Sequence, residues 1–279
     1  MDGTWLDLES KGYVVLRGFL SQEDLSAIRN DYESTPDRTL IANYDAKLAA
    51  YSLLPRFEQK LKAISETVRT ETGIDADMTS YALYFSIENG INFSWHQDLE
   101  SFFLFQDHYH YLNFYVPITK GNQKQSNVSI VPFDQLKIHA PEYYSKLVGG
   151  GATHFWPRKD ETVVLYNEDN TWETMPINIE KLAVTPELDV GDLLLLRGDI
   201  IHRTQDTALT ERVAISFRRL RAKGPISLER ITSGGPRKRQ LMENTPVLWD
   251  AVKRCFAKAD KHEMCASELV MRLLTELPN

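Results

Sequence analysis

Two histidines and one carboxylate, correctly placed, hold a metal ion, and this sequence offers one such set. Of its seven histidines, only His96 is followed two residues later by an acid, Asp98. Residues i and i+2 of a strand or strand end point the same way, so an imidazole and a carboxylate converge while Gln97 points elsewhere. The third ligand must come from a distant segment. His202 stands just past the apolar run Leu193–Leu196 and a Gly-Asp turn, where it would face the mouth of a barrel. Two imidazoles and a carboxylate occupy one face of an octahedron and leave open positions for a co-substrate and dioxygen, the donor set of non-haem iron. Catalytic zinc usually keeps a single open position.

Arg212 opens the next strand-like run, ten residues after His202. Its guanidinium fork suits bidentate binding of a carboxylate. With a period of two, Arg212, Ala214, Ser216 and Arg218 share one face, opposite Val213, Ile215 and Phe217. Ser216 could add a hydroxyl to the same anion. Arg218, sixteen residues past His202, is the competing anchor.

The other histidines fit blander roles. His108 and His110 follow the aromatic run Phe102–Phe105 and read as channel lining or packing. His139 and His154 fall in an irregular stretch and read as solvated loop residues or lid contacts, and His262 as a helix-surface residue. Arg203, Arg218, Arg219 and Arg221 make one end of the barrel locally basic, which suits an anionic substrate or pairing with nearby acids. Cys255 and Cys265 are too few for a disulfide framework and read as small apolar residues.

The elements that position these groups follow from the hydrophobic pattern. Residues 12–20 read as a strand. Ser21 with Asp24 resembles a helix-start signature ahead of Leu25, Ile28 and Tyr32. Leu61, Ile64 and Val68 mark a second helix over about 57–72. From about Thr79 the period changes, with short strands over 81–87, 110–118, 127–131, 162–166, 192–196 and 212–217. Such a series predicts a β-sandwich or barrel. Residues 132–157, with glycines at 149–151, read as a loop excursion over one mouth of the barrel. Beyond Lys223 a basic connector over 232–239 leads to Leu248, Val252, Cys255 and Phe256 at helical spacing. A terminal helical pair is expected there, packed on the barrel or forming a homodimer.

The chain has 279 residues, a formal charge of -7 and 42% hydrophobic content. The length suits one large core with helical additions. The charge argues against general nucleic-acid or membrane-surface binding, since neither polyanion is attracted at long range. No stretch approaches the roughly 20 apolar residues that span a bilayer, and a cytoplasmic protein is expected.

Taken in order, the segments resemble the phytanoyl-CoA dioxygenase-like family of iron(II)- and 2-oxoglutarate-dependent oxygenases. The matching elements are residues 12–21, Trp95 to Asp98, Leu112 to Pro117, Asn127 to Pro132, Gly191 to Asp199 with His202, and Arg212 to Ser216. The resemblance implies a mainly β double-stranded β-helix (jelly-roll) core with flanking α-helices, with the oxygenase domain over residues 1–222; the helical extension over 223–279 lies outside the matched elements. The resemblance further implies Fe(II) on His96, Asp98 and His202, 2-oxoglutarate on Arg212, and a further co-substrate contact from Asn113 or Tyr115. With O2, the implied outcome is hydroxylation of a small-molecule substrate, with release of succinate and CO2. Asp98, being neither Ala nor Gly, leaves no vacancy for a halide. The Pro-Gly-Ser-His turn common in the family is replaced by Pro132-Phe-Asp-Gln. Two alternatives stand beside this reading: a non-haem iron oxygenase that does without 2-oxoglutarate, and a non-catalytic binding protein on the same fold.

Overall fold

Alternation of large apolar residues along the strands sorts the molecule into two sheets and an outer layer of helices. The computed structural model describes residues 4–35, 46–87, 94–125, 127–167, 171–205, 212–233, 238, 242–243 and 246–276. In chain order the strands are β1 (Tyr13–Leu16), β2 (Ala46–Leu48), β3 (Met78–Ile87), β4 (Tyr111–Thr119), β5 (Val128–Val131), β6 (His154–Pro157) and β7 (Val163–Tyr166). They continue with β8 (Trp172–Met175), β9 (Leu193–Arg197), β10 (Ile201–Thr204), β11 (Arg212–Leu220), β12 (Pro225–Ser227) and β13 (Glu263–Cys265).

The larger sheet runs β1-β9-β4-β11-β3-β2, antiparallel throughout. Val213, Ile215 and Phe217 of β11 face outward into a core shared with Phe57, Leu61 and Val68 of helix Leu54–Thr72 and with Leu25 and Ile28 of helix Gln22–Ser34. Phe57 meets Phe217 at 5.3 Å between ring centroids. Helix Gln22–Ser34 starts on a capping box, Ser21 and Asp24 satisfying each other's backbone N–H groups. On the inner face, Ala214, Tyr115, Leu194 and Leu196 pack against Val128 and Ile130 of β5.

The second sheet is assembled through a single residue. β5 pairs with β10, and β6, β7 and β8 form a three-stranded ribbon. His96 bridges the two parts, antiparallel to His202 on one side and to His154 on the other. Its backbone exchanges two 3.0 Å hydrogen bonds with His202, while Phe155 N–H donates to Trp95 O (3.0 Å) and Gln97 N–H to Thr153 O (2.9 Å). The chain is therefore mainly β, with two antiparallel layers facing each other in the manner of a jelly roll.

The stretch 132–157 differs from the loop expected of it. Helices Phe133–His139 and Pro141–Leu147 fill it before β6 begins, burying Phe133, Leu136, Tyr143 and Leu147. Each helix spans only two turns, too short for a period to show in the sequence. The glycines serve close packing. A Cβ on Gly151 would stand 2.9 Å from Phe102 Cβ, and Gly149, at φ +87°, donates its N–H to Asp199 Oδ2 at 2.8 Å.

Toward the C-terminus, helices Pro246–Ala259 and Ala266–Glu276 bury Trp249, Val252, Phe256 and Leu269 against Phe103, Leu104, Phe105 and Leu220. The pair β12–β13 ties this layer together. Most of the basic connector, including residues 234–237, lies outside the described residues. Among the described residues no helix is long and apolar enough to cross a membrane.

Candidate metal centre

His96 reaches the inner face of the second sheet because its backbone is paired on both sides, and Asp98 follows two residues on. Gln97 turns the other way, its amide donating to Leu147 O (2.8 Å) and Asp199 O (2.7 Å). His202 comes from β10. Ligand atoms of His96, Asp98 and His202 all lie within 4.8 Å of one another. His202 Nε2 and Asp98 Oδ1 are 3.7 Å apart.

Both rings are oriented by backbone carbonyls. His96 Nδ1 lies 2.7 Å from Ser94 O, and His202 Nδ1 3.0 Å from Ile200 O. A carbonyl only accepts, so each Nδ1 carries the proton and each Nε2 keeps its lone pair for a metal. Trp95 is clamped behind them, its indole N–H on Glu180 (2.8 Å) and the Arg203 guanidinium 4.8 Å from its ring centre.

Charge is balanced by Arg218, whose Nη1 donates to Asp98 Oδ2 at 2.8 Å, with both side chains buried. Burial alone would raise the Asp98 pKa, but Arg218 and the two imidazoles outweigh it and the carboxyl is held below its ordinary value. Burial, then His202, push His96 down to about 3. His96 is thus a neutral imidazole beside the Asp98 carboxylate, the protonation states that a metal requires of these two groups. These donors match a two-histidine, one-carboxylate iron site with open positions.

The residues expected to hold an anion lie along β11 and β4. Arg212 is 1% exposed, with Nη1 3.5 Å from Asn127 O. Tyr115 is buried and its hydroxyl has no hydrogen-bond partner among the described residues. Burial raises its pKa, and the charge that opposes the rise is Arg212. Ser216 and Asn113 bond to each other, Oγ donating to Oδ1. Asn113 faces Arg218 across the ladder, and Tyr115 faces Ser216.

No protein-family model and no curated protein matches the sequence. Solved structures do match its shape. EctD from S. alaskensis, solved with 2-oxoglutarate and 5-hydroxyectoine, gives a TM-score of 0.55 at 11% identity over 85% of each chain. EvdO2 from Micromonospora carbonacea var. aurantiaca, complexed with 2-oxoglutarate, gives 0.53 at 12% identity over 85% of this chain and 95% of that one. SnoN, a non-heme alpha ketoglutarate dependent epimerase from nogalamycin biosynthesis, gives 0.50 at 13% identity over 79% and 80%. This chain has their fold.

Within that fold several residues take places that differ from their expected ones. His154 is a half-buried β6 residue whose ring lies 6.2 Å from that of His96, so it is neither a solvated loop residue nor a lid contact. The alternation Thr-His-Phe-Trp over 153–156 was the available signal. Arg218 serves Asp98, while Arg203, Arg219 and Arg221 pair with Glu180, Glu58 and Asp107, so the basic end is largely matched by acids. His110 Nδ1 accepts from Asp75 N–H at 2.8 Å, and His108 lies 6.0 Å from the ring of Phe102. Neither joins the cluster of His96, Asp98 and His202. Glu100, in a π-helical turn over Glu100–Leu104, was missed because the turn has no sequence period. Burial raises its pKa, with Arg218 opposing and Asp98 adding.

Proposed function

We propose that this chain is an iron(II)- and 2-oxoglutarate-dependent oxygenase that hydroxylates a small organic molecule. The convergence of His96, Asp98 and His202, with both Nε2 atoms left for a metal, carries the reading. The fold shared with proteins solved with 2-oxoglutarate supports it. On this reading the two facing sheets are the double-stranded β-helix, residues 1–222 are the oxygenase domain and 223–279 its extension. The motif order favours the phytanoyl-CoA dioxygenase-like branch.

His96, Asp98 and His202 would hold the iron, and Arg218 would keep Asp98 ionised and aimed. Arg212, with its charge not committed to Asp98, would take the distal carboxylate of 2-oxoglutarate, and the Tyr115 hydroxyl would donate to the same anion. Ser216 and Asn113 would line the inner wall and fix each other. The bound iron would supply oxidation of a C–H bond by O2, coupled to conversion of 2-oxoglutarate to succinate and CO2. The burial of Asp98, Tyr115 and Arg212 on the inner face would limit water there. The Tyr115 hydroxyl, without a hydrogen-bond partner among the described residues and within the electrostatic reach of Arg212, favours this over an oxygenase that works without 2-oxoglutarate.

Anaerobic titration of metal-free protein with iron(II) and then 2-oxoglutarate tests the assignment. A weak visible charge-transfer band should need both components, vanish in His202→Ala, and require far more 2-oxoglutarate in Arg212→Ala. Folded, iron-loaded protein that gives no band overturns it.

A further inference from the structure

Two cations meet on one asparagine at the end of the barrel. Asn127, just ahead of β5, is 1% exposed and every one of its polar groups is engaged. Its N–H donates to Gln205 Oε1 (3.1 Å), and its carbonyl accepts from Gln205 N–H (2.8 Å) and from Arg212 Nη1 (3.5 Å). Its side-chain amide donates to Gln123 O (2.7 Å), and Oδ1 accepts from Lys120 Nζ. The ends of β4, β5, β10 and β11 are thereby tied together, with the Arg212 guanidinium and the Lys120 ammonium on the same residue.

Lys120 is half-buried and fixed. Its other N–H groups donate to Leu188 O (2.6 Å) and Gln123 O (3.3 Å), so an ammonium with three donors has three protein acceptors. All three acceptors are neutral. The nearby acids are bonded elsewhere. Asp192 takes Arg17 (2.6 Å) and the N–H groups of Gly18 (2.8 Å) and Asp189 (2.9 Å), Asp189 takes the Gln123 amide, and Glu187 is exposed.

Desolvating a charge without a counter-charge is costly, so a half-buried cation ordinarily stands against a carboxylate. Lys120 stands instead near a second cation. Burial first and Arg212 next push its pKa down to about 8, with Asp189, Asp192 and Glu187 opposing. The buried Tyr115 hydroxyl, without a hydrogen-bond partner among the described residues, lies within the electrostatic reach of the same Arg212. Two positive charges and an unused hydroxyl describe a site that an anion completes.

Because its donors are all engaged, Lys120 acts through space and not by contact. The keto-acid end of any 2-oxo acid can chelate iron, so what distinguishes 2-oxoglutarate is its second carboxylate, the group assigned to Arg212. We propose that Lys120, fixed by Asn127 beside Arg212, is a specificity-determining residue of the co-substrate site, its charge making the site select 2-oxo acids that carry a distal carboxylate. The proposal rests on the oxygenase reading and adds to it the origin of that selection.

The test titrates iron-loaded protein anaerobically with 2-oxoglutarate and with 2-oxovalerate, which has the same carbon chain and no distal carboxylate, following the charge-transfer band. Lys120→Gln removes the charge and keeps an N–H donor, while Lys120→Arg keeps the charge. Lys120→Gln should weaken 2-oxoglutarate binding roughly three- to thirtyfold and leave the affinities for 2-oxovalerate and iron(II) unchanged. Lys120→Arg should restore most of the 2-oxoglutarate affinity. A lysine with a purely structural role would move both acids alike. The proposal is overturned if Lys120→Gln binds 2-oxoglutarate like the parent, if it loses both acids equally, or if Lys120→Arg is as weak as Lys120→Gln. In metal-free protein, glutarate should raise the thermal midpoint above that in valerate at equal ionic strength, in the parent and Lys120→Arg but not in Lys120→Gln. Glutarate that stabilises all three alike also overturns the proposal. The expected glutarate pattern without any iron–2-oxoglutarate band would remove the oxygenase reading and leave the Lys120 anion site standing.

Discussion

Arg218 and Asp98 form a buried pair at 2.8 Å in which the guanidinium holds the oxygen that faces away from His202. The Asp98 carboxylate thus stands already ionised and oriented, and the cation that does this comes from the opposite sheet. Removing Arg218 leaves a buried charge uncompensated, which costs about 3–5 kcal/mol. Arg218→Leu should therefore lower the thermal midpoint of the metal-free protein markedly. Arg218→Lys should fold better yet bind iron(II) roughly tenfold to a hundredfold more weakly. Calorimetry of unfolding and an iron(II) titration check the two parts.

The metal-free protein should lose stability as pH falls through the range set by His96. Its folded pKa is about 3, while an unfolded histidine titrates near 6.5. The depressed folded value means that the unfolded chain binds the proton first. His96 then contributes stability that is full above about 6.5 and declines by at most roughly 1.4 kcal/mol per pH unit down to the folded pKa. Denaturant unfolding at several pH values should show a shallower decline in His96→Asn than in the parent protein.

Tyr115 presents a buried hydroxyl with no hydrogen-bond partner among the described residues. Tyr115→Phe should leave the stability of the metal-free protein equal or slightly raised, since no bond is lost. It should weaken 2-oxoglutarate binding roughly tenfold or more, the worth of one hydrogen bond to a charged group. Titration of the charge-transfer band in Tyr115→Phe and Arg212→Ala gives the comparison, and equal binding in Tyr115→Phe would assign the hydroxyl no role.

Gly151 touches Phe102 so closely that any side chain displaces it. Gly151→Ala should destabilise by about 1–3 kcal/mol through overpacking, and Phe102→Leu should relieve part of that loss. A double-mutant cycle by thermal unfolding measures the coupling.

Local spacing carried much of the site. The pair His96 and Asp98 is an i, i+2 arrangement, and Ser21 with Asp24 caps the helix that follows, because both depend only on strand and helix periods. Arg212, Ser216 and Arg218 share one face for the same reason. Their separate duties were invisible, since which arginine meets Asp98 depends on the packing of one sheet over the other.

The sequence by itself determined the strand period, the identity of the donor atoms and the order in which they occur. Only the tertiary structure decided that His96 is the residue joining two parts of a sheet, that Arg218 belongs to Asp98, and that His154, Trp156, Tyr166 and Trp172 continue the face on which His96 and His202 lie. The physical reason is distance along the chain. Periodicity fixes which way a side chain points within its own strand, while register between strands far apart in sequence is set by burial of the whole core.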